Sequence, residues 1–70
     1  MELRKVFTPE RLVLARKRRR MTLAALAEAS GISAQSITAF ENHRKPPSEE
    51  TLSSLASALR FPLFFFQAPP

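Results

Sequence analysis

Cysteine is absent from this 70-residue chain, so no disulfide staples it and no thiolate is available to a metal. Histidine occurs once, at His43, which argues against a zinc site, and no cofactor is expected. The chain also lacks a Gly-rich phosphate cradle, a pair of histidines and any nucleophile–base set, so enzymatic function is not expected. Long apolar runs are missing too. The longest, Phe61 to Phe66, contains Pro62 and is far too short to span a bilayer. Arg4 and Lys5 are basic, but no apolar stretch of the length a secretory signal needs follows them. These absences point to a soluble protein of the reducing cytoplasm with no membrane partner. Glycine, finally, is used once, at Gly31, so that position carries weight.

What is present suits a small packed domain. Seventy residues make one domain at most. A hydrophobic fraction of 44% is enough for a core and argues against disorder. Without staples, stability must come from close helix packing. The formal charge of +5 is uneven: residues 1–20 carry eight Lys/Arg against Glu2 and Glu10. Such asymmetry suggests a polyanionic partner, nucleic acid before an anionic membrane. A solvated basic helix face with no partner is the plain alternative.

Helical signals fill the chain, and no strand, repeat or low-complexity tract stands out. Thr8-Pro9-Glu10 opens a first helix, with Thr8 as cap, that runs to about Arg20. Its inner face is Leu12, Ala15 and the stem of Arg19, broadened by Val13 and Leu14. Thr22 caps a second helix over 22–30, with Leu26 and Ala27 inward, and Gly31 ends it in the left-handed region. Ser33 caps a third helix over 33–42, whose inner face is Ile37, Phe40 and Glu41. After the basic loop Arg44-Lys45-Pro46-Pro47, Ser48 caps a fourth helix carrying Leu52, Leu55, Ala56 and Leu59 at i, i+3, i+4 and i+7. Pro62 can open one more short turn. The expected fold is all-α, a compact bundle of four to five short helices.

The region around Gly31 is the most specific feature. Two helices that meet sharply over a three- to four-residue turn need a small residue where they cross, here Ala27. They need a glycine where the turn goes left-handed, and apolar residues to pin the second helix, here Ile32, Ile37 and Phe40. Residues 22–42 therefore read as a helix-turn-helix.

From about Thr8 to Phe61 the chain resembles the XRE-type helix-turn-helix family, which includes the phage repressors and Cro. The residues carrying the resemblance are "LARKRRRMTLAALAEASGISAQSITAFENHRKPPSEETLSSLASAL". The resemblance implies a lambda-repressor-like domain over 8–61, preceded by an arm at 1–7 and followed by an apolar tail at 62–70. It implies a transcriptional regulator, a repressor, that binds double-stranded DNA as a homodimer with its third helix in the major groove. It also implies a structural ion pair between Arg16 and Glu41. Two departures stand out: Leu23 replaces the glutamine common after the Thr22 cap, and the outer face of the third helix is sparse. The tail resembles the N-terminal module of regulators that continue into an ImmA/IrrE-type metallopeptidase domain. The chain is then either a whole small regulator or a piece of a longer one with a C-terminal domain.

Within that frame Gln35 is the candidate reader of adenine, through a bidentate contact to N6 and N7. Ala34, Thr38 and Ala39 either meet thymine methyls or simply permit close approach. Thr22, Ser33 and Ser36 lie at helix N-termini that suit phosphate oxygens, although capping alone accounts for Thr22 and Ser33. Asn42, His43, Arg44 and Lys45 can flank the groove, and Lys17 and Arg20 are further phosphate candidates. Phe64, Phe65 and Phe66 are the candidate dimer or interdomain surface, against the alternative of a cap on the core. An antitoxin-like or protein-interaction module remains the second reading of the whole chain.

Overall fold

A computed structural model describes residues 7–69. Its helices are α1 (Pro9–Arg18), α2 (Leu23–Ser30), α3 (Ala34–Glu41) and α4 (Glu49–Leu59), followed by a 3₁₀ turn (Leu63–Gln67). No strand occurs among the described residues, and no helix is long and apolar enough to cross a membrane. Most of the arm read at 1–7 lies outside the described residues. Its last member, Phe7, packs against the core and meets Phe40 edge-on at 6.5 Å.

Every helix contributes to one core. Leu12 and Ala15 come from α1, Leu26 from α2, Ile37 and Phe40 from α3, and Leu52, Leu55, Ala56 and Leu59 from α4. Phe66 of the 3₁₀ turn completes it and is fully buried. This corrects the assignment of Phe66 to a dimer or interdomain surface. A ring with no exposed area cannot meet a partner, and the apolar turn is drawn inward to fill the space between α1 and α4. Phe65 is half-buried and Phe64 alone stays open, 72% exposed. The described part of that segment, residues 62–69, thus packs onto the domain rather than trailing from it. Leu14 turns outward at 39% exposure, so the inner face of α1 is narrower than its apolar content suggests.

The ends of the helices account for the single glycine. Gly31 closes α2 at φ 77°, where its N–H donates to the Ala27 carbonyl at 2.9 Å. The other three helices close on a left-handed residue that is basic: Arg20 after α1, His43 after α3 and Arg60 after α4. Each sits in the same double hydrogen-bond pattern. Around Arg60, its own N–H donates to Ser57 O at 3.3 Å and the Phe61 N–H to Ala56 O at 3.1 Å. Around Arg20 the acceptors are Lys17 and Arg16; around His43 they are Phe40 and Ala39. This is the Schellman arrangement, which normally takes glycine. At Arg20 and Arg60 a positive side chain at the negative end of the helix dipole offsets part of the left-handed strain.

Helix starts follow the hydroxyl rule with one exception. Thr22, Ser33 and Ser48 accept from the N–H of Ala25, Ser36 and Thr51 at 3.0, 3.1 and 3.1 Å. Thr8 does not cap α1 with its side chain. The equivalent donor, the Arg11 N–H, goes to the Thr8 carbonyl at 3.0 Å, and the Thr8 hydroxyl donates instead to Ala68 O at 2.5 Å. The Thr8 N–H donates to Phe66 O at 2.7 Å, so this residue ties the start of α1 to the end of the described chain.

Much of the arginine in α1 is structural. Arg16 donates from Nε to Glu41 Oε2 at 2.7 Å, from Nη2 to Glu41 Oε1 at 3.1 Å and from Nη1 to Met21 O at 3.1 Å. Arg19 sends Nε to Leu59 O at 2.6 Å and Nη2 to Arg60 O at 3.0 Å, filling carbonyls at the end of α4. Its guanidinium also lies 4.5 Å from the Phe61 ring centre. Phe61 and Phe65 stack at 4.5 Å, and Arg11 covers Phe65 at 4.6 Å while donating to Pro69 O. Two guanidinium groups thus bracket two rings and bind the C-terminal segment to α1.

Candidate nucleic-acid interface

The helix-turn-helix is built around the three residues between α2 and α3. Ser30, at the end of α2, donates its hydroxyl to Leu26 O at 2.7 Å and accepts from the Ile32 N–H at 3.2 Å. That double role reverses the chain within one turn, and Gly31 supplies the left-handed step. Ile32 and Ala27 then pack against the core and hold the two helices together.

α3 is committed on one side. Ile37 and Phe40 are buried, and Glu41 is held in the fork of Arg16 with side-chain exposures of 10% and 16%. On the other side Gln35 is the only exposed residue of the helix; Ala34, Ser36, Thr38 and Ala39 are half-buried. The exposed side therefore offers one long polar side chain among small ones. Ser36 is less available than its type suggests, because its hydroxyl oxygen accepts from Ser33 Oγ at 3.0 Å.

An open groove runs beside this helix, with Gly31, Ser33, Ser36, Lys45, Ser48 and Thr51 supplying its polar lining and Ile32, Phe40, Pro46 and Pro47 its apolar lining. The capped N-termini of α3 and α4 both face it, with Lys45 between them. First-turn N–H groups lack intrahelical partners, and such ends favour anions. The groove is thus suited to a phosphate backbone by charge and by donor supply.

The four residues after α3 differ from one another. Asn42 donates one of its two amide N–H groups back to Thr38 O at 2.9 Å, which anchors the side chain against the end of α3. His43 Nε2 lies 3.2 Å from Glu10 Oε2, both side chains being more than half exposed, so a carboxylate stands at its outer side. Arg44 is exposed. Lys45 is exposed, its ammonium 6.0 Å from the centre of the Phe40 ring. Lys17 and Arg20, at the end of α1, are exposed as well. Thr22 is exposed with its oxygen engaged as a cap. Leu23, which departs from the family pattern, packs partly against the core instead of reaching outward. Among the described residues no group of His, Asp and Glu side chains is placed to hold a metal ion.

Three roles were not visible in the spacing of residues. Arg19 and Arg11 act as staples for the C-terminal segment, and Glu10 faces His43. In a run of five consecutive basic residues, only the positions of the partner carbonyls tell a staple from a free cation.

Comparison with known proteins agrees with this geometry. No curated protein matches. Among solved structures, an HTH_3 family transcriptional regulator from Vibrio cholerae superposes with a TM-score of 0.79 at 29% identity, covering 83% of this chain. The chain spans about a third (33%) of the length of that regulator. The DNA-binding domain of the P22 c2 repressor superposes with a TM-score of 0.80 at 25% identity, covering 94% of this chain and 88% of that one. The all-α fold is thus that of the repressor-type helix-turn-helix domains. Residues 12–66, well over half the chain, match the helix-turn-helix family HTH_3, and the chain belongs to that family.

Proposed function

We propose that this chain is a sequence-specific double-stranded DNA-binding domain of a transcriptional repressor, which inserts α3 into the major groove. The observation that carries the reading is the division of α3. One side is fixed by Ile37, Phe40 and the Arg16–Glu41 fork, and the other exposes Gln35 among small side chains. A helix held that firmly can present base-reading groups without first being ordered. The similar proteins support the same role: one is named as a transcriptional regulator and the other as the DNA-binding domain of a repressor.

In this reading Gln35 contacts a base, with Ala34, Thr38 and Ala39 lining the approach. Thr22, Ser33 and Ser36 seat phosphates at the helix ends, and Arg44, Lys45, Lys17 and Arg20 add charge along the backbone. His43 and Asn42 contribute less, since Glu10 and the Thr38 carbonyl already engage them. Operators read by this motif come as half-sites one helical turn apart, so a two-fold partner is expected. That partner is a second copy of the chain or, in a longer regulator, a C-terminal domain of the kind its tail resembles.

A salt titration of selected and random duplexes tests the reading. Phosphate contacts supply most of the affinity, so log K falls steeply with log salt. Gln35→Ala costs roughly 1–3 kcal/mol on the selected site and little on random DNA. Lys45→Ala weakens both about equally and lowers the salt slope by about one. Absence of binding to any duplex at low salt would leave a protein-interaction module, the second reading, in its place.

A further inference from the structure

From the chemistry left on the exposed side of α3, we infer that its target is a short tract of A·T pairs recognised through thymine 5-methyl groups. This rests on the DNA-binding reading above and adds to it the class of sequence. The helix, AQSITAFE, contains no lysine or arginine. It therefore has no donor fork for guanine O6 and N7, the contact by which G·C pairs are most often read. Its one carboxylate, Glu41, is closed off by Arg16 and cannot accept from cytosine N4. Ser36 is tied to Ser33, and the Asn42 amide that follows the helix is tied to Thr38 O. What remains is chiefly the Gln35 amide, the Ala34 and Ala39 methyls and the Thr38 methyl and hydroxyl.

Those groups match A·T pairs. A glutamine amide donates to adenine N7 and accepts from N6; opposite guanine its carbonyl would face O6, acceptor against acceptor. Small methyl-bearing side chains pack against the thymine methyl, which cytosine lacks. Ala34 and Thr38 are one turn apart, about 6 Å along the helix axis. Two base-pair steps span nearly the same length, at ~3.4 Å each. With α3 lying along the groove, Ala34 and Thr38 address the outer pairs of a three-pair tract and Gln35 an adenine within it. Thr38 and Ala34 are thus specificity-determining residues, where the sequence alone leaves open whether they do more than permit close approach.

The test starts with selection of duplexes from a random library by the 70-residue chain, followed by titration of the enriched site. An enriched half-site containing at least three consecutive A·T pairs is expected. Replacing one thymine by deoxyuridine, which removes only the methyl, should weaken binding roughly fourfold, the worth of one buried methyl group. In Thr38→Ser, which keeps the hydroxyl and the fold, the thymine facing that position should no longer distinguish itself from deoxyuridine. In the parent protein 5-methylcytosine at that position should bind better than cytosine, since the methyl alone differs between them. A G·C core in the enriched sites, or deoxyuridine tolerated throughout, would overturn the inference while leaving DNA binding intact. Failure to bind any duplex at low salt overturns the DNA-binding reading and this inference with it.

Discussion

Left-handed residues decide where each helix stops, and they do not all carry the same strain. Gly31 at φ 77° has nothing within 4 Å of where a Cβ would stand. Substitution there meets no clash, only the intrinsic penalty of an L-residue in the left-handed region. Gly31→Ala is expected to lower stability by about 1 kcal/mol, and Gly31→Val by somewhat more because branching at Cβ stiffens it further. At Arg60, φ 60°, the same argument runs backwards: Arg60→Gly relieves the strain but frees the unfolded chain and removes a helix-end charge. The net expected change is a gain of less than about 1 kcal/mol. Thermal melts of the two variants should move in opposite directions, and a shared direction would contradict the assignment of these turns. At this scale the glycine is legible in the sequence, since a lone glycine between two helical patterns has few other uses. Arg20, His43 and Arg60 are not, because nothing about an arginine or histidine announces a positive φ.

Among the elements, α1 shows how charge can mislead. The charge of the N-terminal third suggests a polyanion, with Arg16 set apart for Glu41; Arg11 and Arg19 prove to be spent as well, on carbonyls and rings. Lys17, Arg18 and Arg20 remain exposed. Periodicity identifies the buried leucines of α1 and α4 because burial follows the 3.6-residue repeat. It cannot rank arginines, whose long stems let the charged end reach carbonyls a full helix away. The Arg16–Glu41 pair and the His43–Glu10 pair make a useful contrast. The first has two hydrogen bonds at low exposure; the second is a single contact between side chains 60% and 54% exposed. Glu41→Ala leaves Arg16 with only the Met21 carbonyl and should cost about 2 kcal/mol, between the ranges for exposed and fully buried pairs. Glu10→Ala should cost about 0.5 kcal/mol or less. Urea melts of the two variants decide this, and equal midpoints would mean that Arg16 is not a structural residue.

For the molecule as a whole, the fold class and the bent helix pair follow from caps, glycine and apolar spacing, while the role of the last residues does not. Three consecutive phenylalanines carry no periodicity, so one turn of 3₁₀ geometry decides which ring enters the core and which stays out. Phe66→Ala should cost roughly 3–5 kcal/mol, most of the stability of so small a domain. Phe64→Ser should change stability by no more than about 0.5 kcal/mol. If Phe64 lies in a two-fold contact, the serine variant sediments as a monomer where the parent dimerises; identical sedimentation of the two removes Phe64 from any such contact. The lacing of Thr8 to Phe66 and Ala68, and of Arg11 to Pro69, has a topological meaning as well. These bonds close a loop of about 60 residues, so the described part of the chain is nearly circular in space although linear in sequence. The order in which it visits its helices is then a matter of where the circle was cut. A circular permutant in which a short flexible linker joins residue 69 to residue 7, opened in the loop between α3 and α4, should therefore fold to the same core. Its new ends would emerge beside Lys45, on the groove assigned to phosphate, so it should keep its melting behaviour while losing affinity for DNA.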